Sequence, residues 1–497
     1  MGESQSWLFE PTFNRSVKVE SQDERITTDG GALLLREADH QLGLTEYLAS
    51  ELFDPRRQDR IRYTLTELLR ERLFAMALGY SVQDDADRLA HDPAFKMAVW
   101  DRRGDDVIDE RLASQPTQSR LLSILAREGN REKFRDGLFE SISRYLLSAG
   151  PNRRVLRATI DVDSFPVVVH GSQSGAAYNG HYGATIYHPL VASICIDGKF
   201  DAPRPNSRLG NGFIGAQLRV GNAYTTDDGL PFIQTLVERV RQVSRYFDLR
   251  LDAGFVTGEI MDLLTDDKVR FLGRIKANPR LHALAEPHLT RPPGRPPKDG
   301  YHRVIELGQY QADEWKYSQR LILVIVDEPD SDGLLFDMPR YFFLLTNYPR
   351  SMRSGWDVLQ HYRQRGTFED RLSEFNDVLG PHLSQNDCWK NDASLIMALL
   401  AFNLSSFLRL ELEAVHQGSW DLSRFRDCVL KAGGRIVKHA NRLIVKLAKA
   451  VSNFWSTLSE RISHWRLPTT YPTCKGPQPR RWMPPPTHAH LELVHRE

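Results

Sequence analysis

Cysteine is scarce in this chain, and its scarcity limits the kinds of site and compartment that fit the sequence. Only four cysteines occur among 497 residues, and none belongs to a Cys-x-x-Cys pair. No close set of Cys and His indicates a zinc site, and a disulfide framework is not expected in a chain this long with so few thiols. Such a composition is typical of a reducing compartment, so we expect a cytoplasmic protein.

An excess of one charge sign is also lacking. The chain carries 65 Lys and Arg against 64 Asp and Glu, which gives a formal net charge of +1. A globally basic surface is therefore excluded, and any nucleic-acid interface must be built from local clusters of Arg and Lys. Hydrophobic residues at 41% and charged residues at 26% indicate an ordinary soluble globular protein.

Long uninterrupted apolar runs are missing. The N-terminal segment has no apolar core, so no signal peptide is predicted. The most apolar run, residues 393–410, is interrupted by polar side chains that include Ser394, Asn403 and Arg409. We therefore predict a buried core helix there rather than a membrane span, and no membrane partner.

The spacing of apolar residues predicts an α/β protein with five parts. Residues 1–150 show helical periodicity and predict a mainly α region. Residues 151–286 alternate strand and helix patterns, which indicates the first part of an α/β core. Residues 287–350 predict a β-rich insertion, residues 351–460 a second, helical part of the core, and residues 461–497 a Pro-rich tail.

The segment IDVDSF carries two candidate acids, Asp161 and Asp163. Residues two apart in a strand point to the same side, so both carboxylates share one face. Buried carboxylates are costly unless they are paired or bind a metal. The alternative is a solvated strand end, and the alternation does not choose between the two acids.

A third candidate acid, Asp252, stands in LRLDAGF at a predicted strand end, directly before a turn at Gly254. Ligand sites gather at strand ends in α/β sheets. An Asp at this position also suits a turn or a helix cap. Both interpretations remain open from this segment alone.

The segment HYRQRGTFEDRLSEF predicts a helix that carries Tyr362, Arg365 and Glu369. Their i, i+3 and i+7 spacing places all three on one helical face. Arg can bind phosphate through two parallel hydrogen bonds, and a Tyr hydroxyl can add another. A solvated helix with Arg–Glu pairs has the same periodicity, so the alternative remains.

Together these segments resemble the DDE transposases of bacterial insertion sequences. Tyr362, Arg365 and Glu369 fit the Tyr-x-x-Arg-x-x-x-Glu signature of that family, and Asp163 precedes Ser164 as the first acid of the family precedes Ser or Thr. Asp252 fits the second acid, with the predicted β-rich insertion between it and the Glu. The resemblance extends over residues 27–450 and includes the segments GYSVQDDADRLAHDP, GHYGATIYHPL and RVGNAYT.

The chain departs from the family pattern at one position. A basic residue usually stands seven positions after the Glu, but this chain has Asn376 there. A phosphate contact from that position is therefore not expected. Arg371 lies close by on the same predicted helix. Asp370 and Glu374 do not fit the spacing that selects Glu369.

The resemblance implies a ribonuclease-H-like mixed-sheet core with a β-rich insertion. It also implies that Asp163, Asp252 and Glu369 are catalytic and bind Mg²⁺ or Mn²⁺, as two ions, with Asp161 the alternative to Asp163. Hard oxygen ligands suit these ions. Tyr362 and Arg365 would bind a phosphate. The implied reaction is cleavage of DNA at the ends of a mobile element, followed by transfer of the freed 3′-hydroxyl into target DNA.

The resemblance also implies the partners. They are double-stranded DNA, as inverted-repeat ends and as target, and a second copy of the chain that pairs the two ends, with no small-molecule cofactor. Residues 1–150 would recognise the DNA ends. The alternatives are a related metal-dependent nuclease that does not join DNA, and a DNA-binding derivative without activity.

Two basic segments are candidates for DNA contact. Residues 431–450, if helical after Gly434, place a stripe of basic side chains that could neutralise phosphates, namely Arg435, Lys438, Arg442 and Lys446. A solvated helix face explains this stripe equally well. Arg274 and Lys276 alternate on a predicted strand and could line a DNA channel or be solvated.

Overall fold

The computed structural model describes most of the chain, with gaps at the termini and in several loops. The described residues are 8–14, 16–20, 24–101, 106–148, 155–196, 209–224, 226–291, 301–327, 339–380, 382–416, 418, 420–440 and 442–467. Most of the predicted Pro-rich tail, residues 468–497, lies outside them. The turn predicted at Asp197-Gly198 also lies outside them.

The N-terminal region is helical, as its periodicity predicts. After a short strand β1 (Ile26–Thr27), the described residues form seven α-helices: α1 (Ala32–Leu42), α2 (Leu44–Glu51), α3 (Leu65–Ala77), α4 (Asp85–Leu89), α5 (Pro93–Val99), α6 (Gln115–Leu125) and α7 (Glu128–Ser148). Helix α3 begins at a capping box, in which Thr64 and Glu67 satisfy each other's backbone N–H groups.

A mixed sheet of eight strands forms the centre of the molecule. Its strands are β2 (Val155–Ser164), β6 (Leu190–Ile196), β7 (Leu209–Gln217), β8 (Ser244–Leu251), β9 (Arg270–Ile275), β10 (Tyr301–Tyr310), β11 (Gln319–Asp327) and β12 (Arg340–Thr346). They lie in the order β10-β11-β12-β9-β8-β2-β6-β7. Strands β2, β8 and β9 are parallel neighbours, whereas the other pairs are antiparallel.

The segment predicted as a β-rich insertion does form strands, but it is not a separate sheet. Strand β12 pairs with β9, so β10, β11 and β12 extend the central sheet at one edge. Most residues of β11 are buried, as expected where both faces of a strand are covered. The alternation of the sequence predicted the strands but carried no information on which edge they join.

Further α-helices follow in the described chain, some against the sheet and others against neighbouring helices. They are α8 (Gly229–Val243), α9 (Gly258–Asp266), α10 (Pro279–Ala285), α11 (Gly355–Arg363), α12 (Gly366–Leu379), α13 (Cys388–Glu413), α14 (Leu422–Phe425) and α15 (Ser452–Ser463). Among the described helices, α13 alone is long and apolar enough to cross a membrane, yet 94% of its apolar window is buried inside the protein. This burial agrees with the predicted core helix.

One large hydrophobic cluster joins the N-terminal helices to the sheet through α13. It includes Phe74 of α3, Phe139 of α7, Phe213 of β7 and Phe402 of α13. Asn403 of α13 adds polar contacts in the same place, because it bonds both backbone groups of Phe213 and the hydroxyl of Ser141. The predicted division of the chain into parts stays a prediction, and these parts share a core.

Two small sheets complete the fold. One contains β3 (Val167–Val168), β4 (Ala177–Asn179) and β5 (Ala184–Tyr187) in the order β3-β5-β4. The other contains β1, β13 (Gly434–His439) and β14 (Arg442–Leu447), with β13 in the middle. The helix predicted within residues 431–450 is therefore wrong, because this segment is a β-hairpin. Helix α15 also extends past the predicted start of the tail at residue 461.

Candidate active site

Two of the three predicted acids lie at neighbouring strand ends. Strands β2 and β8 run parallel, with Asp161 opposite Arg250 and Val162 opposite Leu251. Asp163 and Asp252 are the next residues along each strand, so they emerge at the same edge of the sheet. Carboxyl ends of parallel strands are a usual place for ligands in α/β proteins.

The third acid, Glu369, is positioned by two consecutive helices, α11 and α12. Helix α11 begins at a Ser354–Asp357 capping box and ends at Arg363, and α12 starts at Gly366. The single continuous helix predicted for Tyr362, Arg365 and Glu369 is therefore wrong. A tight turn separates the two helices, since the backbone N–H of Arg365 bonds Tyr362 O at 2.9 Å. Glu369 lies in the first turn of α12, where the helix dipole favours an acid.

Arg365 brings the three acids together. Its guanidinium forms an ion pair with Asp163, contacts Glu369 Oε1 at 2.7 Å and lies 3.9 Å from Asp252 Oδ1. The Arg365 side chain is largely buried, and its Nε has no hydrogen-bond partner among the described residues. Three carboxylates from distant segments thus converge on one cation.

Burial and charge act in opposite directions at this cluster. Burial raises the pKa of Asp163 to about 6, although Arg365 and the backbone N–H of Ser164 favour the ionised form. Burial alone would lower the pKa of Arg365, but Asp163, Asp252 and Glu369 outweigh burial and raise it. The guanidinium thus stabilises the ionised form of Asp163, and the carboxylates stabilise the charged form of Arg365.

The donor chemistry of the cluster fits a divalent metal. Mg²⁺ and Mn²⁺ prefer carboxylate oxygens, and three carboxylates converge here. Within the described ranges, no group of three or more His, Cys, Asp or Glu side chains already has a geometry that could hold a metal. The guanidinium of Arg365 lies where the carboxylates meet and supplies the positive charge.

Asp161 occupies a different environment from Asp163. Its side chain is fully buried, and its two carboxylate oxygens accept hydrogen bonds from Arg250 at 2.7 and 2.5 Å. Arg250 also donates to the carbonyl of His361 in α11, at 3.1 Å. This buried pair joins β2 and β8 to α11 below the cluster, and the carboxylate of Asp161 is already engaged.

A second buried polar group centres on Asp248, two residues before Arg250 in β8. The carboxylate of Asp248 accepts hydrogen bonds from His361 Nε2 and the Tyr348 hydroxyl at 2.6 Å each, and from the Thr159 hydroxyl at 2.7 Å. Burial alone would raise the pKa of Asp248, but these donors outweigh burial and lower it. Together with the Arg250 pair, this group anchors α11 to the sheet.

Asp248 and Arg250 were missed from the sequence, although a signal for them existed. Asp248, Arg250 and Asp252 alternate along YFDLRLD, so they share one face of the strand. A row of charged residues on a buried strand indicates a polar network. Nothing in the sequence identifies His361 as the partner of that row.

Three other residues were predicted to contact phosphate: Tyr362, Arg274 and Lys276. Tyr362 is half-buried and packs against a second hydrophobic cluster on the α11 side of the sheet. Burial, followed by Asp252 and Glu369, raises the pKa of Tyr362, while Arg365 and Arg274 oppose this rise. Tyr362 thus lies within the field of the acids, and Arg274 lies close enough to act on the same hydroxyl. Lys276 is exposed and follows the end of β9, so the strand predicted to carry it stops one residue earlier.

The basic residues of the hairpin are divided between two faces. Arg435 pairs with Lys446 across the strands, and His439 pairs with Arg442, so these side chains share one face. Lys438 pairs with Leu443 and lies on the other face. Arg435 also forms a 2.6 Å ion pair with Glu24. The predicted single stripe is therefore incorrect, because β alternation separates Lys438 from the other three.

The acids that did not fit the signature have other environments. Glu374 forms ion pairs with Arg371 and with the buried Arg409, the latter at 2.7 Å. Asp370 is exposed beside Glu369. Asn376 is exposed on α12, and Arg371 is engaged by Glu374. The substitution of a basic residue by Asn376 leaves the convergence of the three acids intact.

The family is decided by comparison with known proteins. A model of the family described as transposase DDE domain group 1 matches residues 9–465. The chain belongs to this transposase family. No curated protein matches the chain. Among solved structures, the cryo-EM structure of the piggyBac transposase synaptic complex with hairpin DNA is similar, with 13% identity and a TM-score of 0.40 over 89% of this chain and 86% of that one.

Family membership makes this transposase an enzyme of DNA transposition, and divalent metal ions are general in the family. The mixed α/β architecture, with one large sheet and many helices, agrees with the predicted fold class at that level.

Proposed function

We propose that this transposase cuts DNA at the ends of a bacterial insertion sequence and joins the freed 3′ ends to target DNA. The observation that carries the proposal is the convergence of Asp163, Asp252 and Glu369 on Arg365. These carboxylates come from two parallel strand ends and one helix, and a structural ion pair would not need all three. The reaction takes place in the cytoplasm, on two DNA ends paired by two copies of the chain.

The strand order supports a ribonuclease-H-like core. Strands β7, β6 and β2 are antiparallel neighbours, and β2, β8 and β9 are parallel neighbours. The first acid is the last residue but one of β2, the central strand of this set, and the second directly follows the adjacent parallel strand β8. We assign β10, β11 and β12 to the insertion that separates the second acid from Glu369.

The proposed reaction has two steps at one site. In the first, a water oxygen attacks the phosphorus at the element end, the bond from phosphorus to the 3′-oxygen breaks, and a 3′-hydroxyl is released. In the second, that hydroxyl oxygen attacks a target phosphorus and displaces the 3′-oxygen of the target strand. Atoms and charge balance without an oxidant or a covalent protein intermediate.

The residues have distinct tasks in this scheme. Asp163, Asp252 and Glu369 would hold two Mg²⁺ or Mn²⁺ ions, which stabilise the attacking and leaving oxygens when bound. Glu369, the most exposed of the three acids, would also orient the attacking hydroxyl. Arg365 and Tyr362 would bind the phosphate next to the cut, and Arg274 would contact the same strand.

A single assay separates this proposal from its alternatives. The purified protein is incubated with duplexes from the ends of its own element, a target plasmid, and Mg²⁺ or Mn²⁺. Cutting with joining supports the transposase reaction, cutting alone supports a nuclease, and binding alone supports a DNA-binding derivative. Asp163→Asn, Asp252→Asn and Glu369→Gln should abolish both steps and leave DNA binding. Asp370→Asn, at the exposed neighbour of Glu369, is the matched control and should retain both.

A further inference from the structure

The connection between β2 and β6 brings a small hairpin to the acid cluster. Ser164 at the end of β2 pairs with Leu190 at the start of β6, and Asp163 pairs with Val191. The intervening residues therefore leave and re-enter the sheet beside Asp163. They form the β3-β5-β4 sheet, and residues 180–183, the hairpin tip, connect β4 to β5.

Hydrogen bonds from and to Asn179 hold the hairpin tip in place. The N–H of Gly183 donates to Asn179 O at 2.9 Å, and the N–H of His181 donates to Asn179 Oδ1 at 3.0 Å. The Asn179 side chain also donates to Gly221 O at 2.9 Å. Gly221 packs so closely that a Cβ there would lie 1.9 Å from Ile186 O. These contacts fix the tip against the adjacent loop.

Aromatic rings cover this tip. The ring of Tyr182 packs edge-on against His188 at 5.8 Å and against His181 at 4.8 Å, yet its residue is 40% exposed. His188 is buried, with Nδ1 at 3.1 Å from Ala223 O, and its Nε2 has no hydrogen-bond partner among the described residues. Tyr224, next to Ala223, is also exposed. Tyr182 is thus a partly exposed aromatic side chain on the hairpin that leaves the sheet beside Asp163.

Tyr182 also lies within the electrostatic field of the acids. Burial raises the pKa of its hydroxyl, and Asp163 and Asp252 raise it further. The hydroxyl is therefore protonated and the side chain neutral near neutral pH, since a tyrosine ordinarily ionises only at about pH 10. A neutral ring beside a cluster of carboxylates does not attract a phosphate by charge.

The composition of the hairpin indicates which part of DNA it fits. Residues 177–187, AYNGHYGATIY, contain no Lys or Arg, so the hairpin lacks the side chains that bind phosphate most strongly. They contain three tyrosines and a histidine. Aromatic rings stack on bases with little dependence on sequence. A phosphate can reach the recessed Asp163 more readily when its neighbouring base is unpaired and held outside the duplex.

We infer that Tyr182 stacks on the nucleobase next to the phosphate that is cut, and so positions the DNA end over Asp163, Asp252 and Glu369. This inference rests on the proposed function. Tyr182 acts as a substrate-binding residue, and the hairpin holds it through Asn179 and Gly221. Its hydroxyl is not required, because the contact is made by the ring face.

The test uses DNA ends that carry 2-aminopurine at the nucleotide beside the cut. The reporter is quenched when it stacks, either on neighbouring bases in the duplex or on an aromatic ring, and it fluoresces when its base is extruded and unstacked. The fluorescence of variants that lack the ring is therefore the diagnostic signal. Binding is measured in the Glu369→Gln background, so that the DNA stays intact. We expect quenching with Tyr182 and with Tyr182→Phe, and fluorescence with Tyr182→Ala and Tyr182→Leu. In the otherwise unchanged protein, the Ala and Leu variants should cut about tenfold more slowly or worse, as the loss of one stack implies.

Controls distinguish the possible failures. Tyr246→Ala removes an exposed tyrosine near the opposite end of β8 and should change neither signal. Equal melting temperatures of the variants show that folding is intact, and Tyr182→Leu still covers His188. If the unchanged protein cuts no DNA end, the proposed function itself is wrong. If it cuts and Tyr182→Ala cuts equally fast with full quenching, stacking by Tyr182 is wrong. Equal loss in Tyr182→Phe and Tyr182→Ala would assign the effect to the hydroxyl and would also overturn stacking.

Discussion

Arg365 balances the charge of three acids that would otherwise repel each other. Its contacts with Asp163 and Glu369 use nitrogens that a bound phosphate would also need. Metal ions would replace its charge at the carboxylates. Metal binding and phosphate binding are therefore expected to favour each other through this one side chain. A bound metal frees the guanidinium for phosphate, and a bound phosphate draws the guanidinium away from the carboxylates that hold metal.

Removal of Arg365 should separate the two binding events. In Arg365→Gln, metal ions no longer compete with a guanidinium, so Mn²⁺ affinity without DNA should rise severalfold while affinity for DNA ends falls. Isothermal titration of Mn²⁺ and a DNA-binding isotherm measure the two effects. Arg363→Gln, an exposed arginine two residues earlier, is the control. Weaker Mn²⁺ binding by Arg365→Gln would contradict the competition.

Substitution of Asp161 should lower the stability of the fold more than substitution of Asp163. Asp161→Asn leaves the guanidinium of Arg250 buried without its carboxylate, and breaking such a pair costs about 3–5 kcal/mol. Its melting temperature should fall markedly, whereas Asp163→Asn, at a partly exposed residue near the end of β2, should lose little stability. Differential scanning calorimetry compares the two. A stable Asp161→Asn beside an unstable Asp163→Asn would reverse the assignment.

The sequence could not distinguish these two acids by physical reasoning alone. Both follow the same alternation in IDVDSF, so strand geometry places them on one face. Their environments differ because Arg250 lies opposite Asp161 in the register of β2 and β8. That register depends on contacts between segments about ninety residues apart, as their numbering shows, and no local pattern encodes it.

At the scale of elements, the hairpin β13–β14 shows where periodicity misled. The basic residues of this segment fit a helical stripe, but its β-branched pairs Ile436-Val437 and Ile444-Val445 favour strands. Pairing with β1 settles the outcome, because the middle strand gains hydrogen bonds on both edges. The pairing strand β1 lies near the N-terminus, so the sequence of residues 431–450 alone does not predict this pairing.

The two faces of this hairpin should contribute unequally to DNA binding. Arg442 and Lys446 are exposed on one face, whereas Lys438 lies on the other. If the first face contacts phosphates, Arg442→Gln with Lys446→Gln should weaken binding and reduce the slope of log affinity against log salt by about 2. Lys438→Gln is the matched control and should leave the slope unchanged. Equal effects of both would exclude a one-sided contact.

The turn between α11 and α12 was also not predictable from its spacing. Tyr362, Arg365 and Glu369 fit one helical face, and in the structure Tyr362 and Glu369 lie on separate helices with Arg365 at the start of the second. The residues still converge, because His361 and its carbonyl are held by Asp248 and Arg250. The predicted site residues therefore lie together because of contacts between α11 and β8, which the helical periodicity did not predict.

At the scale of the whole molecule, α13 connects the N-terminal helices to the sheet. Its apolar composition was readable from the sequence, and so was its burial. Its partners were not, since they come from α3, α7 and β7, far earlier in the chain. The molecule is therefore expected to unfold as a unit, although its sequence divides into parts.

Asn403 offers a test of this unity. Its amide bonds Phe213 and Ser141, and its loss leaves a buried backbone N–H and carbonyl unpaired, at a cost of about 1–3 kcal/mol for each group. Asn403→Ala should lower the midpoint of one cooperative transition, followed in parallel by far-UV and near-UV circular dichroism. Ser405→Ala, also buried on α13, is the control, because its hydroxyl has no hydrogen-bond partner among the described residues. Two separate transitions would show independent domains.

The central claim is that Asp163, Asp252 and Glu369 form one metal site on the DNA-bound transposase. The most direct measurement is electron paramagnetic resonance of Mn²⁺ with the protein bound to its DNA end, compared among the unchanged protein, Asp163→Asn, Asp252→Asn, Glu369→Gln and Asp161→Asn. We predict that the first three substitutions each remove the bound-Mn²⁺ signal or weaken it at least tenfold, whereas folded Asp161→Asn retains it. Retention of full Mn²⁺ binding by Asp163→Asn, with loss in folded Asp161→Asn, would contradict the account.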